Sequence, residues 1–387
     1  MDAMVDPAVD ETHMAAAVEL AWAGLGSVEP NPMVGCVIVR AGQVIGRGCH
    51  ERFGEAHAEV NALHDCLQNG HDAKGATAYV TLEPCCHHGK TPPCADALIA
   101  AGLARVVIAV VDPFEQVSGG GVARLKDAGI EVDTGVAVEL ATNQLAAYLK
   151  RVRTGRPWVI AKWAMSMDGR IATATGQSQW ITGESARREV HALRGRIDGI
   201  AVGMGTVLAD DPLLTARPSG PRTLNRTLNR IVFAQTRVPP LDRQLVKTAT
   251  KTPLWLIAGP LVRDADLAAL SGHGVRVIRC QNPDPVAMID EALLRLGGRD
   301  NPGGTPLTNL MVEGGGRLLG SFAAAEQIDE AHVYIGSKLI GGQAAPGPVG
   351  DPGISQLNRS ISLHVGSVDR FDDDDVRIIY RKASQHR

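Results

Sequence analysis

Apolar residues in this chain come in short runs, and their spacing separates strands from helices. MVGCVIV (33–39) and QVIGRG (43–48) flank a glycine-containing turn and predict a β-hairpin. AHAEVNALHDCLQNG (56–70) has helical character and ends at Gly70, ATAYVTLEP (76–84) predicts a strand, and ADALIAAGLA (95–104) a helix. RVVIAVVDP (105–113) predicts a strand, and GGVARLKDAGIEV (120–132) a helix followed by a strand. This alternation predicts an α/β sandwich up to about residue 147. KRVRTGRP (150–157) is basic, contains Gly and Pro, and interrupts the pattern, so domains 1–149 and 150–387 are expected.

A second alternation follows. WVIAKWAMSMDG (158–169) leads into a predicted helix, ESARREVHALRG (184–195), and then the apolar run DGIAVGMG (198–205). RIVFAQ (230–235), PLWLIAG (253–259), VRVIRC (275–280), NLMVEGG (309–315) and AHVYIGSKLIGG (331–342) are further strand-like runs. The fold class expected is two tandem α/β domains. RTLNRTLN (222–229) is a tetrapeptide repeat too short to define an architecture, and FDDDDV (371–376) predicts a solvated turn before a final strand.

Length and charge narrow the classes. At 387 residues the chain exceeds one ordinary core. No apolar run reaches the length of a membrane span, and the acidic start MDAMVDPAVDETHM lacks an apolar signal-peptide region, so a cytoplasmic protein is expected. A net charge of −3 argues against a nucleic-acid surface. Six of the seven cysteines precede residue 95, a clustering that points to metal binding or catalysis rather than disulfides.

The cluster is TLEPCCHHGKTPPCA (81–95), with GEAHAEVNAL (54–63) upstream. Water attacks an amidine-like carbon well only when something makes it hydroxide-like at neutral pH. Zinc with three protein ligands and one open position does so. A carboxylate outside the ligand set must then carry protons to the leaving amine. His57, Glu59, Pro84-Cys85 and Cys94 resemble the H-x-E and P-C-x-x-C signature of zinc nucleoside and nucleobase deaminases. That resemblance makes His57, Cys85 and Cys94 ligands and Glu59 the proton shuttle. Cys86 competes with Cys85, whose place after Pro84 favours it; eight residues rather than two separate Cys85 from Cys94. A spacing of two does not put His57 and Glu59 on one helical face, so they belong at the irregular start of the helix.

The longer spacing narrows the resemblance. PNPMVGCVIV (30–39), GCHERFGEAHAE (48–59) and TLEPCCHHGKTPPC (81–94) resemble the deaminase half of the bacterial bifunctional riboflavin-biosynthesis deaminase/reductases. KWAMSMDGRIAT (162–173), SQWIT (178–182), GTVLADDPLLTAR (205–217) and VEGGGRLLGS (312–321) resemble their reductase half. The resemblance implies a cytidine-deaminase-like α/β/α sandwich followed by a dihydrofolate-reductase-like α/β domain. It implies zinc-dependent removal of the 2-amino group of a diaminopyrimidinone bearing a phosphoribosylamino arm, then NADPH-dependent reduction of the ribosyl group to ribityl. Asn31, His50, His87 and Lys90 are implied in the deaminase pocket, the first two at the pyrimidine and the last two at the phosphate. Ala164, Trp180, Thr206, Asp210 and Gly315, Gly316, Arg317, Leu318, Leu319, Gly320 and Ser321 are implied at NADP. Ser178, Arg194, Leu214, Arg217 and Glu313 match substrate positions, with Lys162 beside the ribose.

Physical chemistry supports part of this set. Amides at a glycine-led helix start suit a phosphate, although VEGGGR is not a Rossmann fingerprint. Arg194 and Arg217 have the fork geometry for phosphate. Lys162 lies in an apolar strand run and needs a partner, for which Glu313 is expected. Two places depart from the family: Asp112-Pro113-Phe114 stands where Asp-Pro-Asn is usual, and Ala234-Gln235 where Asp-Ser is common. A small-molecule substrate, no nucleic-acid or membrane partner, and a homo-oligomer are expected. The rival readings are a zinc deaminase acting on nucleic acid with a non-catalytic second domain, and a zinc-stabilised nucleotide sensor.

Overall fold

The structure, a computed structural model, describes residues 7–87, 92–217, 228–298 and 304–382. The chain divides into two compact units, Met1–Thr154 and Gly155–Arg387. Residues 150–154 of the basic run at the expected boundary are helical. Helix Ala146–Thr154 contains Lys150, Arg151 and Arg153, so the expected break at 149/150 falls inside it. Arg151 holds that helix to its own unit by donating to the Pro30 carbonyl at 2.8 Å.

The first unit is built on strands β1 (Gly35–Arg40), β2 (Gln43–Cys49), β3 (Thr77–Leu82), β4 (Arg105–Val110) and β5 (Glu131–Thr134). Their order is β2-β1-β3-β4-β5, with β1 antiparallel to β2 and β3, and β3, β4 and β5 parallel. The expected hairpin is β1–β2, closed by Ala41 and Gly42 at φ 50° and 75°, the left-handed pair that a two-residue turn requires. Strand β4 is buried along its whole length, which is why RVVIAV reads as continuous apolar sequence rather than alternation.

Glycines seat the helix that carries the chemistry. A Cβ on Gly48 would lie 2.3 Å from the Ala62 nitrogen, and one on Gly46 2.4 Å from the Ala62 oxygen. Helix Ala58–Gln68 therefore rests directly on the β2 backbone. Helix Pro7–Ala21, which the sequence pattern did not announce, rests on β1 and is tied down by a buried network. Arg105 donates to both Asp10 carboxylate oxygens at 2.9 and 2.7 Å, and Tyr79 donates to Asp10 at 2.7 Å.

The second unit contains β6 (Trp158–Ser166), β7 (Gly199–Gly203), β8 (Asn229–Ala234), β9 (Leu254–Ala258), β10 (Arg276–Arg279), β11 (Asn309–Val312), β12 (Glu330–Gly336), β13 (Leu363–Arg370) and β14 (Val376–Lys382). They form one sheet in the order β10-β9-β8-β7-β11-β6-β12-β14-β13, parallel from β10 to β12 and antiparallel beyond. The pleat sorts β6 between two cores. Val159 and Ala161 pack with Ile289, Leu293 and Phe322 on one face, and Ile160 with Met311, Val202 and Leu270 on the other. Lys162 follows Ile160 in the pleat. In the register it lies beside His332 of β12. Of the repeat at 222–229, only Leu228 and Asn229 are among the described residues, and Asn229 opens β8.

The acidic turn at 371–375 is not simply solvated. Asp375 is 2% exposed. It accepts from the Gly183 amide at 2.6 Å, and Asp373 accepts from Ser185 at 3.1 Å. These two carboxylates serve the start of helix Glu184–Arg194, which has no side-chain cap of its own. Gly183 is needed for space, since a Cβ there would lie 1.8 Å from an Asp373 oxygen. Asp375→Ala removes the charged acceptor of the partly buried Gly183 amide and should destabilise the second unit by about 1–3 kcal/mol. A urea titration of the full chain reads this as a lower midpoint, and an unchanged midpoint would remove the turn from the account of stability.

Candidate active sites

In the first unit, three side chains from three segments meet. His57 is the residue before helix Ala58–Gln68, with extended backbone at φ −79° and ψ 168°, and Glu59 lies in the first helical turn. The break in helical geometry at His57 lets residues two apart approach one place. Cys85 follows β3, and Cys94 opens helix Cys94–Ala100 behind Pro93. His57 Nδ1 lies 3.2 Å from Cys94 Sγ and 3.6 Å from Cys85 Sγ, and all three ligand atoms fall within 4.8 Å of one another. Tetrahedral zinc with bonds of about 2.0–2.3 Å spaces its ligands by roughly 3.5–3.8 Å, so one nitrogen and two sulfurs here fit that ion.

Cys86 stays outside the cluster. Its Sγ approaches the Gln116 carbonyl at 3.7 Å, on the opposite side of the extended segment. The Cys85 thiol is held down at about 4 by hydrogen bonds from Cys94 and His57, while the Cys94 thiol is pushed up by its bond to Cys85 and by burial.

Glu59 is 3% exposed, and its Oε2 has no hydrogen-bond partner. Burial, with the negative Cys85 adding to it, pushes its carboxyl up to about 7. An acid poised there changes protonation state readily near neutral pH.

The other expected pocket residues fare differently. Asn31 Nδ2 lies 3.3 Å from His50 Nε2, and His50 Nδ1 lies 3.0 Å from the Ala56 carbonyl. Both ring nitrogens of His50 are thus used inside the protein. In this ligand-free arrangement the ring holds the Asn31 amide in place. Its ring is 5.0 Å from that of His57, which sets Asn31 near the metal cluster. His87 packs edge-on against Phe114 at 6.4 Å with its Nδ1 buried and unpaired. Lys90 lies outside the described residues.

Sequence reasoning missed Glu83. Its buried carboxylate accepts from the amides of Asp112, Gly119 and Val122 at 3.2, 3.0 and 3.0 Å. Those amides belong to the segment carrying Phe114, so Glu83 fastens that segment to the end of β3 beside Cys85. A carboxylate closing the apolar run YVTL was the available signal.

In the second unit, Glu313 follows β11 and meets Arg194 at the end of helix Glu184–Arg194. Arg194 Nε and Nη2 donate to the two Glu313 oxygens at 2.7 and 2.5 Å, and Nη1 donates to the Thr215 carbonyl at 3.3 Å. The partner expected for Glu313 was Lys162; the guanidinium fork takes it instead. The same pairing, with the bond to Thr215, occupies three of the five N–H donors of Arg194. Burial works against ionisation of Glu313, yet Arg194 and then Lys162 outweigh it and hold its carboxyl below the usual range. Among the described residues Lys162 Nζ makes no hydrogen bond; it lies 5.5 Å from the Tyr334 ring centroid, and burial lowers its ammonium from the ordinary value.

At the glycine turn, Gly314 and Gly315 have φ of 137° and 76°, and helix Gly316–Ala324 starts immediately after. A Cβ on Gly314 would sit 3.3 Å from Thr206 Oγ1, so the turn and Thr206 lie together. Leu318 and Leu319 are buried in the core, and Ser321 donates to the Arg317 carbonyl. A Cβ on Gly320 would meet the Asp351 oxygen at 2.3 Å. Leu318, Leu319 and Gly320 therefore have only backbone to offer, as does Leu214, whose side chain is in the core. Trp180 is 61% exposed, with the Arg187 guanidinium 4.5 Å from its ring centroid. Ser178, Asp210 and Arg217 are exposed, and Ala164 borders Tyr334. At the second departure, Gln235 turns away to the Pro283 carbonyl at 2.9 Å. His191, a second residue that sequence reasoning missed, feels the charges of Arg194, Arg217, Glu313 and Lys162; its place three residues before Arg194 was the signal.

Comparisons with known proteins agree across both units. Residues 7–110 match the cytidine and deoxycytidylate deaminase zinc-binding region, and residues 157–374 match the RibD C-terminal domain. The chain is 42% identical over 358 residues to the riboflavin biosynthesis protein RibD of Escherichia coli, covering 90% of this chain and 93% of that one. It is 40% identical over 370 residues to its counterpart in Actinobacillus pleuropneumoniae, covering 94% and 93%. Among solved structures, Acinetobacter baumannii RibD superimposes with a TM-score of 0.81 at 35% identity, covering 97% of this chain and 99% of that one. A deaminase/reductase from Thermotoga maritima gives 0.79 at 32% identity, with coverage of 97% and 99%.

The geometry makes the ligand set testable. Cys85→Ser should lose zinc and Cys86→Ser should keep it, as read by metal content of the purified proteins. The reverse result would exchange the two cysteines.

Proposed function

The chain belongs to the RibD family of riboflavin-biosynthesis proteins, and from that premise we propose how its residues divide the work. It is a bifunctional enzyme: a zinc-dependent deaminase and an NADPH-dependent reductase acting in succession on a pyrimidine with a phosphoribosylamino arm. The deaminase is assigned to the first unit and the reductase to the second, with the division at Thr154/Gly155. The observation that carries the catalytic reading is the buried, unpaired Glu59 Oε2 beside His57, Cys85 and Cys94.

Zinc held by His57, Cys85 and Cys94 supplies a Lewis acid that makes water nucleophilic at neutral pH. Glu59 takes the proton from the water as its oxygen bonds to the ring carbon. It then gives a proton to the exocyclic amine, which leaves as ammonia. Asn31, fixed by His50, orients the pyrimidine, with His87 and Lys90 on the phosphate side.

In the second unit, NADPH when bound would supply the hydride that reduces the sugar. Opening the ribosyl ring leaves O4′ needing a proton, and Lys162 is the residue assigned to provide it. Glu313, steadied by Arg194, orients the sugar, and Arg217 meets the phosphate together with Ser178 and the Leu214 backbone. The Gly314–Gly316 turn, the first amides of the helix it opens, Thr206, Asp210, Ala164 and Trp180 hold the cofactor.

A deaminase acting on nucleic acid is not favoured, because the second unit matches a reductase family and the net charge is −3. We place the enzyme in the cytoplasm, with a small-molecule substrate and no nucleic-acid partner. No helix among the described residues is long and apolar enough to cross a membrane. The uncovered edge strand β13, with Val365 and Val368 exposed, supports assembly as a homo-oligomer.

Two variants separate the active sites. Glu59→Gln should retain zinc and lower ammonia release by about 10²–10⁴-fold. Normal release would show that another group carries the proton. Lys162→Met should leave ammonia release intact while NADPH oxidation is lost. Continued oxidation would move the proton source elsewhere.

A further inference from the structure

Helix Glu184–Arg194 carries a side chain that the assignment above leaves unused. His191 lies one turn before Arg194, on the same helical face. Its Nδ1 is buried and has no hydrogen-bond partner, and Nε2 makes no hydrogen bond among the described residues. An orphaned buried N–H is rarer than an orphaned acceptor. With its proton on Nε2, the neutral ring offers one N–H donor.

The charges around this ring do not balance. Arg194 and Glu313 neutralise each other through two hydrogen bonds. Lys162 on β6 and Arg217 on the 211–217 segment also act on His191, and Lys162 shares the Glu313 charge without a hydrogen bond to it among the described residues. Burial, followed by Arg194 and Arg217, keeps the imidazole below its ordinary value, with Glu313 opposing. The other polar contact in this region, the Thr215 carbonyl, is satisfied by Arg194. Ala186 and Val190 of the same helix turn to Tyr334 and are spent on packing. Three cations against the single Glu313 carboxylate, with one neutral N–H donor, complement a dianionic phosphate monoester.

We propose that His191 is a further substrate-binding residue of the reductase unit, donating its Nε2–H to a phosphate oxygen of the phosphorylated sugar arm beside Arg217. The proposal rests on the reading that this pocket receives the phosphoribosyl arm. It also replaces the donor capacity that Arg194 gives up to Glu313. Glutamine, with an N–H at similar reach, would do the same work, whereas alanine would not.

The test uses the full chain, with ribose 5-phosphate and ribose as inhibitors of NADPH oxidation on the deaminated substrate. His191→Ala should weaken inhibition by ribose 5-phosphate about ten-fold, the effect of losing one hydrogen bond to a charged group. It should leave the weaker inhibition by ribose and the KM for NADPH unchanged. His191→Gln should restore most of the lost inhibition. A purely structural role would shift both sugars and the NADPH KM together, and that pattern overturns the proposal. Equal inhibition of wild type and His191→Ala by ribose 5-phosphate overturns it as well. If ribose 5-phosphate fails to inhibit the wild type while the full substrate is still reduced, the placement of the phosphate arm falls, and the role of His191 falls with it.

Discussion

Removing a carboxylate from water is costly unless something compensates for the lost hydration, and three glutamates in this chain meet that constraint in three ways. Glu83 takes three backbone amides and fixes a loop. Glu313 takes a guanidinium fork and becomes an anchored charge. Glu59 leaves one oxygen unpaired and is held near neutrality instead. The first is finished as structure, the second is oriented but still charged, and the third is free to gain and lose a proton. Deamination needs the third kind beside a metal. Reduction of a phosphorylated sugar is better served by the second kind amid cations.

Legibility in the sequence follows the range of the interactions. The hairpin, the buried strands and the HAE, PC and PPC fragments are local features, so periodicity and spacing announced them. His57 and Glu59 came together because the helix begins between them, a local break that the spacing itself required. Pairings across long separations were hidden. Arg194 and Glu313 are 119 residues apart, and nothing in either segment distinguishes an arginine that meets phosphate from one already closed on a carboxylate. The acidic turn is another case, since its charges suggest solvent until Gly183 and Ser185 arrive from 190 residues upstream. Strand β13 escaped notice because an exposed edge strand has little apolar patterning to display.

Glycine marks the places where backbone must come close, and these are the places that position chemistry. Gly46 and Gly48 let helix Ala58–Gln68 rest on β2, which sets His57 and Glu59. Gly183 admits the Asp373 carboxylate, which steadies the helix bearing His191 and Arg194. Gly314 and Gly315 bring the chain from β11 past Thr206 into a new helix. Composition alone gives no hint of which glycines matter. Each is decided by what a Cβ would strike.

The same competition for partners explains why Lys162 is left available. Glu313 can satisfy one fork fully or a point charge partially, and a planar guanidinium matches both carboxylate oxygens at once. Arg194 therefore wins, and Lys162 keeps only the face of Tyr334 and the more distant Glu313 charge. A buried ammonium without a hydrogen-bonded anion binds its proton less tightly than one in water. Pairing Lys162 with Glu313 would have stabilised the charged form and opposed proton release. The arginine, by occupying the glutamate, leaves the lysine with a proton it can give.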